Sequence, residues 1–349
     1  MARKMKSLIA ALMLVGGAGA AGTPAMAQSG GELHIYNWTD YTSSEMIKKF
    51  EAETGIKVTV DTYDSNETLL AKLKAGGGGY DIVVASNDFV PILIKSKLIQ
   101  EVDPYKMDTY DNLTDVGKNR SWDPGSKYTI PYQWGTTSYV ADTAIYKGPM
   151  NSLKELFEPA PELKGKIGMF GSPSEVMALV LVYMGKPQCN TNPADLKQAQ
   201  AILEAQKPFV KLYNSDGIHD RMIAGETVMH QSWSGGSARA RFGRPTVAYA
   251  FPKEGVVGWM DNVAVPTSAT NVENAKKFMA FLMKPENIAM TSNEVVYQSA
   301  VKGVEKYLKP ELADAPEFKV PEGEKIVFSE PCSEDAIRFY DRIWTKLRK

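Results

Sequence analysis

The fold is decided by the stretch LHIYNWTDYTSSEMIKKFEAETGIKVTV, residues 33–60. It opens with a β-strand pattern at residues 33–36, and a polar turn follows. Ser43 or Ser44 can cap a helix whose apolar residues share one face, and Gly55 can end that helix. A second strand pattern comes directly afterwards. The stretch therefore predicts a strand, a helix and a second strand, which is the unit of a parallel sheet.

The same alternation continues along the chain. A second helix pattern is followed by an apolar strand at residues 81–85. A second set begins after Pro131, with a strand at residues 166–170, a helix opened by Ser172 and a strand near residues 226–231. Together the two sets predict an α/β fold whose mostly parallel strands are covered by helices on both faces.

Polar and aromatic side chains follow several of these strands. Trp38 and Asp40 come after the first strand, Ser86 and Asp88 after the third, and Trp233 after a strand of the second set. Ligands of open α/β sheets bind beyond the carboxyl ends of the strands. Two sets of strands with facing edges therefore predict two lobes with a ligand cleft between them.

Two extended segments are candidates for the connections between the lobes. Residues 131–135 and 251–265 are rich in aromatic residues and glycine, and a third crossing is expected near residue 305. Each lobe is then discontinuous in sequence. The predicted N-terminal lobe comprises residues 28–136 and 260–305, and the predicted C-terminal lobe comprises residues 137–259 and 306–349.

Residues 1–27 have the features of a secretory signal peptide. Three basic residues precede an apolar run at residues 8–15, and the small residues Ala25 and Ala27 fit the positions that a signal peptidase reads. No later segment approaches 18 consecutive apolar residues. We expect export to the periplasm, without a lipid anchor because no cysteine stands at the cleavage site.

The charge balance argues against some partners. Without residues 1–27, 37 basic and 41 acidic residues remain, which is a net charge near −4. Such a chain offers no basic surface for nucleic acid or for an anionic membrane. We expect a monomer that binds neither.

The two cysteines leave two interpretations open. Cys189 and Cys332 can form a disulfide in an oxidising compartment, where such bonds persist. They can equally be two separate buried thiols. A disulfide would tie the C-terminal tail to the body of the chain.

An aromatic residue and an acid recur together at two places. Trp38 is near Asp40, and Trp259 is near Asp261. Aromatic ring faces and carboxylates both attract a desolvated alkylammonium ion. With an export signal, these pairs predict an extracytoplasmic receptor for a small amine.

Motifs for catalysis or for metal binding are missing from the sequence. It contains no G-x-S-x-G, no phosphate-binding G-x-x-x-x-G-K-[ST] loop and no H-E-x-x-H. The histidines His34, His219 and His230 have no ligand-like spacing among themselves or with the cysteines. We expect no catalysis, no metal and no cofactor, which disfavours the alternative of a secreted hydrolase.

Six segments of the chain resemble the spermidine/putrescine-binding periplasmic proteins. They are Asn37–Tyr41, Asp64–Thr68 with Ala71–Lys74, Tyr80–Val84, Pro131–Gly135, Pro252–Gly255 and Trp259–Asp261. The resemblance covers nearly the whole chain after residue 27. It implies a two-lobe, type II periplasmic binding fold that closes over its ligand and delivers it to an ABC permease in the inner membrane.

The resemblance also implies a set of binding residues. Tryptophans would flank the methylene chain of the ligand, carboxylates would hold its amino groups, and Asp261 would be the main amine anchor. Residues carried over from the family are Trp38, Tyr41, Ser86, Glu175, Trp233, Trp259 and Asp261. Further candidates, from their positions in the chain, are Asp40, Asp88, Arg239 and Tyr297.

Two departures from the family pattern keep a second ligand class open. Ser172 stands where polyamine-binding relatives can carry an aspartate, so the distal end of the site has lost a charge. Arg239 and Arg241 add positive charge after Trp233. A carboxylate would suit such an end, which makes an ω-amino acid such as 4-aminobutyrate the alternative ligand.

Structural interpretations of the candidate residues also remain open. Glu175 can belong to a capping box with Ser172, and Asp40 or Asp88 can be turn or helix-capping residues. Arg239 can lie on a solvated helix face. The three candidate tryptophans and Tyr297 can be core aromatics.

Overall fold

Ten strands of the described chain form one mixed sheet. They are β1 Glu32–Trp38, β2 Lys57–Tyr63, β3 Ile82–Ser86, β4 Thr129–Asp142, β5 Ile167–Met169, β6 Val210–Tyr213, β7 Met229–Trp233, β8 Val247–Tyr249, β9 Val256–Ala264 and β10 Ile326–Phe328. The structure is a computed structural model that describes residues 30–39, 41–63 and 66–349. The predicted signal peptide, residues 1–27, and Asp40 lie outside the described residues.

The strand order reveals two parallel sets joined by long antiparallel strands. The order is β2-β1-β3-β9-β4-β7-β5-β6, with β10 beside β9 and β8 beside β4. β1 is parallel to β2 and β3, and β5 is parallel to β6 and β7. Between the sets, β9 is antiparallel to both β3 and β4, and β4 is antiparallel to β7. This topology confirms the predicted α/β class with two sets of strands.

The strands β4 and β9 connect the two sets, as predicted for residues 131–135 and 251–265. The first part of β4 pairs with β9 up to Thr137, and its last part pairs with β7 from Thr137 to Ala141. A single strand therefore belongs to both halves of the sheet. The bounds of the two lobes in the chain stay a prediction.

Helices cover the sheet, and several begin and end where the sequence predicts. They are α1 Ser44–Thr54, α2 Asn66–Lys74, α3 Val90–Lys95, α4 Lys154–Phe157, α5 Pro173–Tyr183, α6 Pro193–Gln206, α7 Ile218–Ala224, α8 Ser234–Gly243, α9 Val272–Leu282, α10 Pro285–Val295, α11 Pro310–Ala313 and α12 Glu334–Leu347. The hydroxyl of Ser43 accepts the Met46 N–H at the start of α1. At its end, Gly55 adopts φ 70°, a left-handed conformation in which glycine is favoured.

Separate hydrophobic cores lie on the two sides of the connecting strands. One core joins Ile35 of β1 and Val84 of β3 to Phe278 of α9. Another joins Val180 of α5 to Tyr340 of α12. The C-terminal helix therefore packs with the second set of strands, far along the chain from α5.

Cys189 and Cys332 form a disulfide across 143 residues of sequence. The structure thus decides between the two interpretations that the sequence left open. The bond connects the segment after α5 to the segment before α12, so it holds the C-terminal tail against the core that both helices share.

Within residues 30–39, 41–63 and 66–349, no helix has the length and apolar character needed to cross a membrane.

Candidate ligand-binding site

The register of β3 and β9 places Ser86 directly opposite Asp261. The Ser86 hydroxyl donates to Oδ1 of Asp261 over 3.0 Å. Side chains alternate along a strand, so Trp259 and Asp261 share one face while Met260, which is fully buried, takes the other. The pairing of two strands that are distant in sequence thus brings together Ser86 and Asp261, which were both predicted to bind the ligand.

Trp259 lies at the join between the two connecting strands. It stands opposite Gly135 of β4, where a Cβ atom would come within 2.7 Å of Cζ2 of its ring. The missing side chain of Gly135 therefore makes room for the indole. The Trp259 ring contacts Tyr297 edge-on at 5.0 Å between centroids, and Tyr41 contacts Tyr297 in the same way at 5.9 Å. These three rings form one aromatic wall of the site.

Trp38 is the last residue of β1 and pairs with Tyr63 of β2. Their ring centroids are 4.6 Å apart. The sequence predicts that the strand stops before Trp38, but the strand runs on because β2 continues alongside it. The Trp38 indole packs against the same core as Tyr41 and Trp259.

Three polar atoms in this region are buried without a hydrogen-bond partner among the described residues. They are Nε1 of Trp38, Nε1 of Trp259 and the hydroxyl oxygen of Tyr41. Buried polar groups in proteins are nearly always paired, and those that are not often mark functional sites. Burial, followed by the nearby Asp261 carboxylate, raises the pKa of Tyr41 well above its ordinary value. The Tyr41 hydroxyl therefore stays protonated and can donate.

Trp233 forms the opposite side of the site. It is the last residue of β7, and its ring contacts Phe170 with 4.4 Å between centroids. Its Nε1 donates to Oε1 of Glu175 over 2.9 Å. Trp233 packs against both of the large cores, one on each side of the connecting strands. It therefore stands where the two halves of the molecule meet.

Glu175 has only one half of the expected capping box. Ser172 caps α5, because its hydroxyl accepts the Glu175 N–H over 3.4 Å. The Glu175 carboxylate instead accepts the Trp233 indole N–H. A side chain that only capped its helix would bond the Ser172 backbone, whereas the Glu175 carboxylate reaches Trp233 at the end of β7.

Three carboxylates of the site have raised pKa values. Burial is the main cause for each, and it raises the pKa of Asp88 to about 7, of Glu175 to about 7 and of Asp261 to about 6. Asp261 and Glu67 further raise the pKa of Asp88, and Asp88 raises that of Glu175. The nearby hydroxyls of Tyr41 and Ser86 act in the opposite direction and lower the pKa of Asp261.

Electrostatic coupling joins carboxylates from both sides of the connecting strands. Asp88 follows β3, whereas Glu175 lies in the first turn of α5, yet Asp88 raises the pKa of Glu175 after the larger effect of burial. Among the described residues, none of Asp88, Glu175 and Asp261 forms a salt bridge. Uncompensated like charges in a partly buried site are the arrangement that a cationic ligand would stabilise.

Arg239 does not lie on a solvated helix face. It is half-buried on α8, its Nη1 donates to the Val295 carbonyl over 2.7 Å, and its guanidinium lies 5.6 Å from the Tyr297 ring centroid. Arg241 pairs through two hydrogen bonds with the buried Glu317. Both arginines therefore have protein partners.

The structure brings together most of the predicted residues. Tyr41, Ser86, Trp259, Asp261 and Tyr297 are joined by direct contacts or by electrostatic coupling. Glu175 and Trp233 form a second hydrogen-bonded group, and Asp88 is coupled to both groups. Trp38 packs against the first group's core. The placement of Asp40 lies outside the described residues.

Sequence reasoning missed Asn66 and Tyr63 as parts of the site. Asn66 opens α2 and donates to the Ser86 hydroxyl over 3.0 Å. Tyr63 contacts Trp38, and the Asp261 carboxylate contributes to raising its pKa. The segment containing Asn66 was already part of the family resemblance, which was the one available signal.

The arrangement suits an elongated organic cation better than a metal ion. In the part of the chain that the structure describes, no three His, Cys, Asp or Glu side chains are close enough together to hold a metal. Carboxylates on separate elements, with Trp233 beside Glu175 and Tyr41 near Asp261, fit a chain with ammonium groups at its ends.

Fold and site together define a two-lobe periplasmic-type solute-binding protein. The family model described as bacterial extracellular solute-binding protein matches residues 45–320. The spermidine/putrescine-binding periplasmic protein of Escherichia coli K12 is 34% identical over 305 residues, which cover 86% of this chain and 87% of that protein. This chain therefore belongs to the bacterial extracellular solute-binding proteins, in the family of the spermidine/putrescine-binding periplasmic proteins.

Solved structures agree with the fold. The spermidine/putrescine ABC transporter substrate-binding protein PotD of Streptococcus pneumoniae has a TM-score of 0.81 and 27% identity, covering 91% of this chain and 98% of that chain. A solved GABA receptor has a TM-score of 0.71 and 19% identity, covering 91% and 96%. At that identity the GABA receptor supports the fold alone.

Proposed function

We propose that this protein is the periplasmic receptor of an ABC importer and that it binds a polyamine of the putrescine or spermidine type. The observation that carries the proposal is the set of three carboxylates, Asp88, Glu175 and Asp261, which have no salt bridge among the described residues. The permease in the inner membrane would receive the ligand. Residues 1–27 would direct the chain to the periplasm and be removed there.

Each part of the site has a role in this proposal. Asp261, oriented by Ser86, holds one ammonium group, and Glu175 with Asp88 holds the other. The faces of the tryptophan rings contact the methylene chain and the ammonium hydrogens. A desolvated cation-π contact contributes about 2 kcal/mol, and a hydrogen bond to a charged group about 1.5 to 3 kcal/mol. Three or four such contacts reach the roughly 8 kcal/mol of micromolar affinity.

Ligand binding is coupled to closure in this proposal. Asp88 and Glu175 come from different halves of the sheet, and they repel each other when both are charged. A diamine between them replaces repulsion by two attractions, so the ligand stabilises the closed form more than the open form. The closed form is the one that the permease would recognise.

An ω-amino acid such as 4-aminobutyrate fits the same site less well. Its carboxylate would join three protein carboxylates, and Arg239, the predicted partner for it, already donates to the Val295 carbonyl. Arg239 keeps its positive charge, since a carbonyl does not neutralise a guanidinium, but the three site carboxylates outnumber this one cation. We therefore expect the polyamine to be the better ligand.

Calorimetric titration tests the proposal. The protein without residues 1–27 is titrated with putrescine, spermidine and 4-aminobutyrate at matched ionic strength and pH 7.5. We expect micromolar or tighter binding of at least one polyamine and at least about 100-fold weaker binding of 4-aminobutyrate. Tight binding of 4-aminobutyrate without binding of either polyamine would contradict the proposal.

A further inference from the structure

Asn66 makes two hydrogen bonds to the same residue. Its Nδ2 donates to the Ser86 hydroxyl oxygen over 3.0 Å, and its Oδ1 accepts the Ser86 backbone N–H over 3.3 Å. Asn66 is half-buried at the first position of α2, and Ser86 is the last residue of β3. The Asn66 amide therefore holds both the backbone and the side chain of Ser86 in place by hydrogen bonds.

These two hydrogen bonds determine to which group the Ser86 hydroxyl donates its proton. A serine hydroxyl has one proton to donate and two lone pairs. Because Nδ2 of Asn66 carries only protons, Ser86 must accept from it, and the serine proton is left for Oδ1 of Asp261 at 3.0 Å. The three groups thus donate in one direction, from amide to hydroxyl to carboxylate, and such chains strengthen each of their bonds.

We infer that Asn66 is a positioning residue for ligand binding, because it holds Ser86 so that the serine hydroxyl fixes the orientation of Asp261. The inference rests on the proposed amine-binding function for its effect on affinity. Asn66 itself acts through Ser86 and needs no contact with the ligand. The effect on Asp261 exists with or without a ligand, so it can be measured separately.

The charge state of Asp261 gives an independent readout. The hydrogen bond from Ser86 opposes the effect of burial and lowers the pKa of Asp261. Without Asn66 the hydroxyl can rotate away, so the carboxylate loses part of that stabilisation and its pKa rises further. A residue that only packed at the start of α2 would leave this pKa unchanged.

A double-mutant cycle tests whether Asn66 acts through Ser86. Putrescine affinity is measured by calorimetry for the wild type, Asn66→Ala, Ser86→Ala and the double variant. We expect each single variant to bind about 5- to 30-fold more weakly, which is less than the loss of a hydrogen bond to a charged group because Asp261 can still contact the ligand. The double variant should match Ser86→Ala to within about twofold, because Asn66 has nothing left to position. Losses that multiply in the double variant would overturn the inference.

Carbon-13 NMR of the aspartate carboxyl carbons completes the test on the ligand-free protein. The pKa of Asp261 should rise in Asn66→Ala and in Ser86→Ala. The double variant should show the same pKa of Asp261 as Ser86→Ala. An unchanged pKa of Asp261 in Asn66→Ala would overturn the positioning role, even in a variant that is less stable. If the wild type bound neither putrescine nor spermidine while the variants showed these pKa shifts, the proposed function would be contradicted and the positioning of Asp261 by Asn66 supported.

Discussion

Replacing Asp261 by asparagine removes the charge of the amine anchor while keeping its shape. The Ser86 hydroxyl can still donate to the amide oxygen at that position, so the side chain keeps its orientation. The change therefore isolates the attraction between the carboxylate and the ammonium group of the ligand. Burial already disfavours the charged form of Asp261, so a neutral side chain should not destabilise the fold.

The size of the effect follows from the strength of a charge-assisted hydrogen bond. A bond of about 1.5 to 3 kcal/mol corresponds to a loss of affinity of about 10- to 150-fold. The loss of affinity should be near 10-fold if Asp88 and Glu175 compensate by attracting the ligand toward them. We expect the enthalpy of binding to become less favourable as well, because a direct ionic contact is lost.

Calorimetry with putrescine at pH 7.5 measures this loss, and thermal unfolding checks the fold. Asp108→Asn is the matched control, since it makes the same chemical change at an exposed position of the same chain. The control should bind like the wild type. If Asp261→Asn also bound within threefold of the wild type, the assignment of Asp261 as the anchor would be wrong.

Four further predictions concern pH, packing and the disulfide. Lowering the pH from 8 to 5 should weaken polyamine binding, because the three site carboxylates, with pKa values of about 6 to 7, become protonated. The same groups should make the ligand-free protein more stable to heat at pH 5.5 than at pH 8, since a raised carboxyl pKa lowers stability only where the group is charged. Gly135→Ala should weaken binding by about 10-fold or more, because the new methyl group lies 2.7 Å from the Trp259 ring and must displace it. Cys332→Ser should lower the free energy of unfolding by about 4 to 5 kcal/mol, because the disulfide closes a long loop in the unfolded chain. Affinity should change little, because neither cysteine is a site residue.

Each of these predictions has a contradicting result, and for the ligand-free protein it is a melting temperature that is lower at pH 5.5 than at pH 8. Affinity that rises or stays constant between pH 8 and pH 5 would mean that the carboxylates do not hold the ligand. Unchanged binding by Gly135→Ala would mean that the Trp259 ring is not a contact. Gly236→Ala is the packing control, because its new methyl group would meet only the Ser232 hydroxyl oxygen, at 3.7 Å. If denaturant titrations gave Cys332→Ser the same free energy of unfolding as the wild type, the disulfide would not restrict the conformations of the unfolded chain.

Local sequence signals were sufficient for the class of fold. Ser43 and Gly55 mark the ends of α1 because capping depends on a few neighbouring residues. The alternation of strands and helices predicts two parallel sets, and the strand-end rule places Ser86 and Trp233 in the site. These signals work because the physics behind them acts over a few residues, or follows from the direction of parallel strands.

Contacts that depend on strand register could not be read from the sequence. The pair of Ser86 and Asp261 exists because β3 and β9 are antiparallel neighbours, although 175 residues separate the two side chains. The bond of Arg239 to Val295 depends equally on how α8 packs against the end of α10. The sequence shows the charge of Arg239 but not its hydrogen-bond partner. An ω-amino acid therefore remained an alternative ligand.

The most direct test of the account is a crystal structure of the protein with putrescine. We expect one ammonium nitrogen at about 3 Å from the Asp261 carboxylate, the other beside Glu175 or Asp88, and the methylene chain between tryptophan rings. A ligand that bound elsewhere, or that lay between the lobes without touching Asp261, would contradict the account.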